Sequence, residues 1–576
     1  MALKTKYEVG QIPHNEYPRP QLVRPEWKNL NGLWDYCVVD ELIDTLQDFK
    51  YEGKILVPFA IESSLSQVER EFEPNQTLVY RTFFKHKAKG VIPLLHFDAV
   101  DYRCIVFLNG QRICEHKGGY FNFTVNIKEA LKEVGDNELI VLVQDPSDKG
   151  TQQRGKQKLI HSGIWYTPTS GIWQSVWIEN VPQVYIEKIK IKPDIDGDFI
   201  DLYVAVNDPD KVEKYTADIS LQGKKIASAE SELNQFRIRI KNPRLWSPES
   251  PTLYDITISC GTDEVQSYFG MRKFEMKNQK FYLNNKPYFL TGALDQGYFP
   301  DGILTPPSDG AMVEDIEFAK SLGFNCLRKH IKIEMMRWYY HCDRLGMIVW
   351  QDMINGGGEF NTWLHILAPL LKVDVKDNQY CKFGRDDESR LEFKADLGRM
   401  VAQLYNVPSI CLWGIFNEAW GQFDSELMLR YLKDLDNTRV IDATSGWYNQ
   451  GNDLVSIHKY ILPFKMPKNE QRTVALTEFG GYSYPIKGHV YSDKQFGYLV
   501  FNKKDKLNKA IERLYTKQIL KAKQKGLSAC IYTQLTDVEC EINGLITYDR
   551  EVIKVDIDMI KRVNAELTKE NNDKKD

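Results

Sequence analysis

The sequence predicts a multidomain protein in which two β-sandwiches, a jelly roll and an immunoglobulin-like sandwich, precede a (β/α)8 barrel. Three observations predict it. A chain of 576 residues is too long to fold around one hydrophobic core. Residues up to about 272 form short strand-like runs separated by turn residues. From residue 273, strand-like and helical segments alternate, the pattern of a parallel sheet. We therefore expect domains at 1–182, 183–272 and 273–576.

The composition is that of an ordinary globular protein, with 43% hydrophobic and 27% charged residues. A net charge of −4 gives no reason to expect binding to nucleic acid or to a membrane surface. The N-terminus lacks an apolar signal core, so we predict a cytoplasmic protein. The ten cysteines lack metal-ligand spacing. Those inside apolar runs are predicted to be buried free thiols, namely Cys104, Cys326, Cys411 and Cys530.

The first two regions carry strand and turn signals. In the first, the apolar run 102–108 leads into Asn109-Gly110, a strong hairpin signal, which supports a jelly roll. The polar stretch 147–158 is predicted to be a long mobile loop. In the second region, about 90 residues of alternating strands fit an immunoglobulin-like sandwich.

The third region fits a (β/α)8 barrel because it contains eight short apolar runs in about 300 residues. Helices are predicted over 308–322, 334–345, 388–405, 505–525 and 556–567. Ser308 is a plausible N-cap and Gly346 a plausible helix end. The helices after the fifth and sixth strands are poorly marked. The predicted strands are 289–291, 325–329, 347–351, 410–416, 439–444, 454–457, 474–477 and 529–533.

Two of these strands end in a glutamate. The apolar run 410–416 is followed by Asn417 and Glu418, and the run 474–477 is followed by Glu478. The carboxyl ends of barrel strands meet at one face, where the active sites of such barrels lie. Two carboxyl groups about 5–5.5 Å apart are what a retaining glycosidase requires. The pair therefore indicates glycoside chemistry, with two solvated surface glutamates as the alternative.

Several stretches, taken in order, resemble glycoside hydrolase family 2, which includes β-galactosidases, β-glucuronidases and β-mannosidases. The resemblance runs from about residue 24 to residue 567. The stretches are FDAVDYRCIVFLNGQRICEHKGGYFNF (97–123), SGIWQSVWIE (170–179), FGMRKFEMKNQKFYLNNKPYFLTGAL (269–294), NCLRKHIKIEMMRWYYHCDRLGMIVWQDM (325–353), FNEAWG (416–421), TEFGG (477–481) and YTQLTDVECEINGLITYDR (532–550).

The resemblance implies roles for the residues at the strand ends. Glu418 would be the acid/base and Glu478 the nucleophile. Asn417 would donate a hydrogen bond to a sugar 2-hydroxyl, with a turn asparagine as the alternative. Tyr460 would orient the nucleophile, and His330 would face the sugar, although either side chain could instead serve only in packing.

Other candidates rest on position. Arg328 could pair with the nucleophile carboxylate or form a structural salt bridge. Trp447, in the loop after the fifth strand, could be a stacking platform for a sugar. Trp413, inside the fourth strand, is expected in the core. Two polar side chains after the eighth strand are candidates for the pocket floor, Gln534 and Asp537.

No cofactor is predicted. The sequence contains no GxGxxG or phosphate-binding loop. It also contains no convincing metal-ligand set, and hydrolysis requires only water. The predicted partner is a carbohydrate substrate. Because family members are usually dimers or tetramers, a homo-oligomer is expected.

The sugar is less well defined. β-Glucuronidases of the family recognise the substrate carboxylate with an Asn-x-Lys pair after the eighth strand, whereas the matching stretch here is Glu541-Ile542-Asn543-Gly544-Leu545. Because this stretch has no lysine and carries an acidic Glu541, it argues against a β-glucuronidase but leaves another uronic-acid binder open. The chain resembles short three-domain members of the family, which are often β-galactosidase-like, and this resemblance makes a β-galactosidase-like enzyme our first expectation. The alternatives are β-glucuronidase, β-mannosidase or arabinosidase-like activity and, remotely, a non-catalytic carbohydrate-binding protein.

Overall fold

A computed structural model describes residues 3–359, 361–371, 373, 375–449 and 453–569. It consists of two β-sandwiches followed by an eight-stranded parallel barrel, which confirms the predicted fold class and the order of its parts. In the described part, no helix is both long and apolar enough to cross a membrane.

The first sandwich packs a four-stranded sheet, β1-β12-β5-β9, against a six-stranded sheet, β3-β2-β4-β10-β7-β8. Its predicted hairpin is present, with Asn109 (φ 52°) and Gly110 (φ 84°) at the turn between β7 and β8. The strands are β1 (Trp27–Asn29), β2 (Gly32–Val39), β3 (Gly53–Val57), β4 (Thr77–Phe84), β5 (Ile92–Phe97), β6 (Val100–Asp101), β7 (Arg103–Leu108), β8 (Gln111–Lys117), β9 (Phe123–Asn126), β10 (Asn137–Gln144), β11 (Gly171–Ile172) and β12 (Val176–Val181).

The second sandwich has a three-stranded and a four-stranded antiparallel sheet, and two of its side chains contact Asp343 of the barrel region. The indole of Trp246 donates to the Asp343 carbonyl at 2.8 Å, and the Tyr268 hydroxyl donates to the Asp343 carboxylate at 2.7 Å. The strands are β13 (Ile186–Asp194), β14 (Phe199–Val206), β15 (Tyr215–Leu221), β16 (Lys224–Ser231), β17 (Gln235–Arg239), β18 (Tyr254–Cys260) and β19 (Asp263–Phe269), followed by a small sheet of β20 (Phe274–Lys277), β21 (Lys280–Leu283) and β22 (Lys286–Pro287).

The barrel strands are all parallel, in the order β27-β26-β25-β24-β23-β32-β29-β28. All eight residues of β26 are buried, as its continuous apolar run predicts. The strands are β23 (Leu290–Asp295), β24 (Cys326–Lys329), β25 (Ile348–Asp352), β26 (Ile410–Asn417), β27 (Val440–Ser445), β28 (Leu454–Lys459), β29 (Thr473–Gly480) and β32 (Leu527–Thr533), with a short pair of β30 (Tyr482–Ser483) and β31 (Leu499–Val500) above them.

The helices begin and end close to the predicted residues. Ser308 caps the first by accepting from Ala311 N, and Gly346 ends the second at φ 74°. A π-helical turn, Tyr515–Ile519, divides the predicted helix 505–525. The helix Ser425–Leu435 was not predicted. The described residues between β27 and β29 contain no helix. The helices are α1 (Asp309–Ser321), α2 (Met336–Leu345), α3 (Ala368–Leu370), α4 (Asp387–Leu404), α5 (Ser425–Leu435), α6 (Lys504–Leu514), α7 (Leu520–Lys523) and α8 (Ile557–Thr568).

The polar segment 147–158 differs from its prediction as a mobile loop, because it is packed against the barrel. The amides of Arg154 and Gly155 both donate to the Asn355 carbonyl, at 3.1 and 3.0 Å. Gln153 is buried, and its side chain donates to Asp396 of α4 at 2.9 Å. The polar groups of the segment 147–158 form hydrogen bonds with the barrel. A local sequence pattern does not reveal such partners, because they are distant in the chain.

Candidate active site

The two predicted glutamates meet at the carboxyl face of the barrel. Glu418 directly follows β26 with a left-handed backbone (φ 49°), and its amide donates to the Ser445 carbonyl at 2.8 Å. Glu478 lies within β29, two residues before the strand ends. One carboxylate oxygen of each lies within 4.8 Å of the other. The tertiary structure therefore brings the two carboxyl groups into one pocket.

Tyr460, which follows β28, lies between them. Its hydroxyl is 2.7 Å from Glu478 Oε2 and 3.3 Å from Glu418 Oε1. Burial, together with the charges of both glutamates, raises the pKa of Tyr460 well above its ordinary value. The phenol therefore stays protonated and donates mainly to Glu478, the nearer carboxylate.

Arg328 on β24 is buried and donates hydrogen bonds to side chains on three other barrel strands. Its guanidinium donates to Glu478 Oε1 at 3.2 Å, to Asp352 at 3.0 Å and to Asn417 Oδ1 at 2.9 Å. Burial disfavours its charge, but the carboxylates of Asp352 and Glu478 outweigh burial and raise the pKa of Arg328. The predicted pair with Glu478 is thus present, and Asp352 is a further partner that the sequence did not reveal.

The contact with Arg328 also orients Asn417. A guanidinium can only donate, so the oxygen of the Asn417 amide must face Arg328. The Nδ2 group remains as a donor. This is the orientation that a hydrogen bond to a sugar hydroxyl requires.

His330 follows β24 and contacts Asp352. Its Nδ1 lies 2.9 Å from Asp352 Oδ2, so Nδ1 carries the hydrogen. Burial, with the nearby charges of Lys156 and Arg328, lowers the pKa of His330 well below its ordinary value. The ring is therefore neutral, with Nε2 as an acceptor.

The structure adds His458 on β28 to this group. Its Nδ1 lies 2.7 Å from Glu418 Oε1, and its Nε2 lies 2.9 Å from Ser445 Oγ and 3.5 Å from Glu478 Oε1. The sequence did contain a signal for it. Residues two apart on a strand face the same side, so the prediction for Tyr460 implied the same side for His458.

The pKa of Glu418 is lowered, not raised as for a resting general acid. Burial alone would raise it, but the hydrogen bond that His458 donates, together with the nearby charge of Lys156, outweighs burial. The environment of the unliganded protein therefore favours the ionised form of Glu418.

Three further site residues were predicted: Trp447, Gln534 and Asp537. The Trp447 ring centroid lies 5.8 Å from that of His458, so this indole borders the pocket. Gln534 is buried and donates to Asn543 at 2.8 Å. The Asp537 carboxylate accepts from Lys554 and from the Gly544 amide, both at 2.7 Å. These contacts stabilise the loop after β32, and the place of Asp537 at the pocket floor stays a prediction.

The first sandwich contributes to the same pocket through the segment after residue 154. The Tyr166 hydroxyl donates to Glu541, and it accepts from Gln296 at 3.1 Å. The ammonium of Lys156 lies 5.8 Å from the centre of the Tyr166 ring. The positive charge of Lys156 acts to lower the pKa of four nearby groups, namely Glu418, His330, Asp352 and Glu541. No ion pair is found for this ammonium among the described residues.

Two clusters in the described part have the spacing of metal ligands, Glu418-His458-Glu478 and His489-Asp549-Glu551. In the first, Arg328 and Tyr460 already donate to the carboxylates, so those oxygens are engaged by hydrogen bonds. In the second, His489 Nδ1 and Asp549 Oδ2 are within hydrogen-bond distance, at 2.7 Å. We assign neither cluster to a metal.

We compared the sequence with models of known protein families. Family models match all three parts of the chain. "Glycosyl hydrolase 2 galactose-binding domain-like" matches residues 46–173, "Glycosyl hydrolases family 2" matches 184–272, and "Glycosyl hydrolases family 2, TIM barrel domain" matches 274–561. The chain belongs to glycoside hydrolase family 2.

Similar family proteins carry more than one activity in their names. A putative β-glucuronidase of Formosa agariphila is 27% identical over 62% of this chain, and a β-galactosidase of Thermoanaerobacter pseudethanolicus is 24% identical over 86%. The matched regions span 40% and 65% of those two proteins, respectively.

Solved structures support the fold. A β-D-glucuronidase of Dictyoglomus thermophilum has a TM-score of 0.74 at 16% identity, with 95% of this chain and 98% of that one covered. A β-galacturonidase of this family from Eisenbergiella tayi, bound to galacturonate, has a TM-score of 0.70 at 18% identity, with 96% and 99% covered.

Proposed function

We propose that this protein is a retaining exo-β-glycosidase that hydrolyses terminal β-linked sugars by double displacement. The observation that carries the proposal is the short separation of Glu418 and Glu478, whose nearest oxygens lie within 4.8 Å. Carboxyl groups about 5–5.5 Å apart fit a retaining mechanism, whereas inversion requires about 6.5–9.5 Å to accommodate a water.

The hydrogen bonds support the assignment of roles. Glu478 accepts from Arg328 and Tyr460, two donors that orient it as a nucleophile. Glu418 is the more accessible of the two, with its side chain 26% exposed compared with 5% for Glu478. An acid/base must reach both the leaving group and the incoming water, so the accessible carboxyl group fits that role.

In the first step, a Glu478 oxygen attacks the anomeric carbon while the bond to the leaving oxygen breaks. Protonated Glu418 gives its proton to that oxygen. In the second step, ionised Glu418 takes a proton from water, the water oxygen attacks the anomeric carbon, and the bond to Glu478 breaks. Asn417 Nδ2 and His330 Nε2 are available to the sugar hydroxyls throughout.

The decisive experiment combines two variants with product analysis. Glu478→Gln should abolish turnover of activated aryl β-glycosides. Glu418→Ala should reduce kcat/KM for poor leaving groups far more than for activated ones. Proton NMR of the first product should show the β-anomer. An initial α-anomer, or an active Glu478→Gln protein, would refute the proposal.

For the sugar we favour a β-galactoside. Glu541 is buried and hydrogen-bonded to Tyr166 and Asn543, and burial raises its pKa. A carboxyl group in that position suits a neutral sugar hydroxyl better than an anionic substituent. Several of the similar proteins are also named β-galactosidases.

One observation favours a second candidate, a β-uronide. The Lys156 ammonium lies over the Tyr166 ring without an ion-pair partner among the described residues, and its charge acts on Glu418; a substrate carboxylate would supply a partner. A panel of aryl glycosides that differ only in the sugar separates the two candidates. β-Mannoside and arabinoside substrates belong in the same panel.

A further inference from the structure

We propose that His458 is a positioning residue that holds Glu418 through its Nδ1–H group and directs the catalytic proton to the other carboxyl oxygen, Oε2. The inference rests on the proposed function, in which Glu418 is the acid/base. It assigns a role to a side chain that the hydrolysis scheme above does not use.

The first argument concerns the tautomer of His458. Arg328 Nη1 lies 3.5 Å from His458 Nε2, and a guanidinium can only donate. Ser445 Oγ lies 2.9 Å from the same nitrogen, and its hydroxyl hydrogen can turn towards it. Glu478 Oε1 also lies 3.5 Å from this nitrogen, but that oxygen accepts from Arg328 Nη1 at 3.2 Å. The nearest neighbour of Nε2 is the Ser445 hydroxyl, whose hydrogen makes Nε2 the acceptor. The hydrogen is therefore on Nδ1.

The second argument concerns the proton of Glu418. With a hydrogen on Nδ1, His458 donates to Glu418 Oε1 across 2.7 Å. The Tyr460 hydroxyl approaches the same oxygen at 3.3 Å. An oxygen that accepts from these groups is a poor site for the carboxyl proton. In the acid form the proton is then on Oε2, where it can pass to the leaving oxygen.

The same contact serves both half-reactions. As Oε2 loses its proton to the leaving group, negative charge develops on the carboxylate, and Nδ1–H stabilises it. In the second half-reaction Oε2 takes the proton of the attacking water while Nδ1–H stays on His458. The imidazole keeps its own hydrogen throughout, so only Glu418 gains or loses a proton.

Packing makes His458 suited to hold a position. Its side chain is fully buried, whereas that of Glu418 is 26% exposed. A Cβ atom at Gly446 would lie 2.8 Å from His458 Nδ1, so the chain approaches the ring closely there. The charged and titratable groups near the ring are Arg328 on β24, His330 after β24, Asp352 on β25, Glu418 after β26, Tyr460 after β28 and Glu478 on β29.

A matched pair of variants tests the proposal. His458→Phe keeps the ring volume and removes the donor, whereas His458→Asn keeps an amide donor near the position of Nδ1. For His458→Phe we expect kcat/KM to fall about 10- to 100-fold with a poor leaving group, since a hydrogen bond to a charged group is worth about 1.5–3 kcal/mol. With 4-nitrophenyl glycosides the fall should stay within about threefold. His458→Asn should recover part of the difference.

The pH profile provides a readout that a purely structural role would not move. The donor at Oε1 stabilises ionised Glu418, so its removal should raise the pKa of Glu418 and shift the basic limb of kcat/KM to higher pH. Equal losses for both leaving groups with an unmoved basic limb would overturn the proposal. If Glu418→Ala shows no leaving-group dependence in the same assay, the acid/base assignment itself has failed.

The tautomer of His458 can also be measured without turnover, so the proposal can be tested even if no glycoside in the panel is hydrolysed. In the histidine-15N-labelled protein, the resonances lost in His458→Phe should show a protonated Nδ1 and an unprotonated Nε2 at neutral pH. A protonated Nε2 with a bare Nδ1, or an imidazolium, would overturn the proposal.

Discussion

The hydroxyl of Tyr460 donates a 2.7 Å hydrogen bond to Oε2 of Glu478, while Arg328 donates to Oε1 of the same carboxylate. Both oxygens of the proposed nucleophile are therefore engaged before any substrate binds. A carboxylate held in this way has little freedom to rotate, which favours one angle of attack.

Tyr460→Phe should lower kcat about 10- to 100-fold, since it removes one hydrogen bond to a charged group, worth about 1.5–3 kcal/mol. Steady-state kinetics on an activated aryl glycoside measures this. Tyr515→Phe is the control, because it also removes one hydroxyl from a buried tyrosine, whereas the donors to Glu478 are Arg328 and Tyr460. A similar loss in both variants would argue against a specific role of the Tyr460 hydroxyl.

Arg328 should be needed for both stability and activity. Arg328→Gln leaves Asp352 and Glu478 buried without their cationic partner, so we expect a loss of about 3–5 kcal/mol in the free energy of unfolding. Arg328→Lys should regain much of that stability but little activity, because one ammonium cannot reproduce the forked contacts. Denaturant unfolding and kinetics on the same samples test this. Full activity in Arg328→Lys would contradict it.

Lys156→Met distinguishes the two sugars. If a substrate carboxylate pairs with Lys156, KM for a β-glucuronide or β-galacturonide should rise at least tenfold, with little change for a β-galactoside. If the substrate is neutral, all sugars should change by a similar factor. Lys158→Met is the control on the same segment, since the Lys158 ammonium packs at 4.6 Å over Trp165.

The buried His96 should make stability depend on pH. Burial lowers the pKa of His96 to about 4, against the partial opposition of Glu179. An unfolded histidine takes up its proton near pH 6.5, so between about pH 6.5 and 4 the unfolded state binds more protons. Stability should therefore fall as pH falls through this window, with a slope of up to about 1.4 kcal/mol per pH unit from this group.

Unfolding curves of His96→Gln at several pH values check this prediction. The variant should lose this part of the slope while it keeps the acid destabilisation below about pH 4 that comes from carboxylates with lowered pKa, such as Asp436 beside Arg439. His86→Gln is the control, since His86 is only partly buried and bonds to Asn180. An unchanged slope in His96→Gln would exclude His96 as its source.

Much of the fold was predictable because burial leaves a local pattern. Apolar runs such as 410–416 and 474–477 marked strands buried on both faces, and they became β26 and β29. Ser308, Gly346 and the Asn109-Gly110 pair marked a helix start, a helix end and a hairpin through their own backbone preferences. The divided helix after β31 left no such signal, since its residues favour an ordinary helix throughout.

The site was predictable only in part. Glu418, Glu478, Asn417, Tyr460, Arg328 and His330 were predicted, and the structure brings them together. Asp537 was expected at the pocket floor, and the structure shows in addition that it pairs with Lys554. Their catalytic roles stay predictions until the variants are measured.

By itself, the sequence determined the family, the order of the three parts and the two strand-end carboxylates, because each depends on residues close together in the chain. Only the tertiary structure decided which distant groups act on those carboxylates. Lys156 lies in a polar stretch that resembles any mobile loop, and it reaches the pocket because Gly155 is anchored to Asn355. His458 gains its position from the packing of β28 between β27 and β29, which no local pattern specifies.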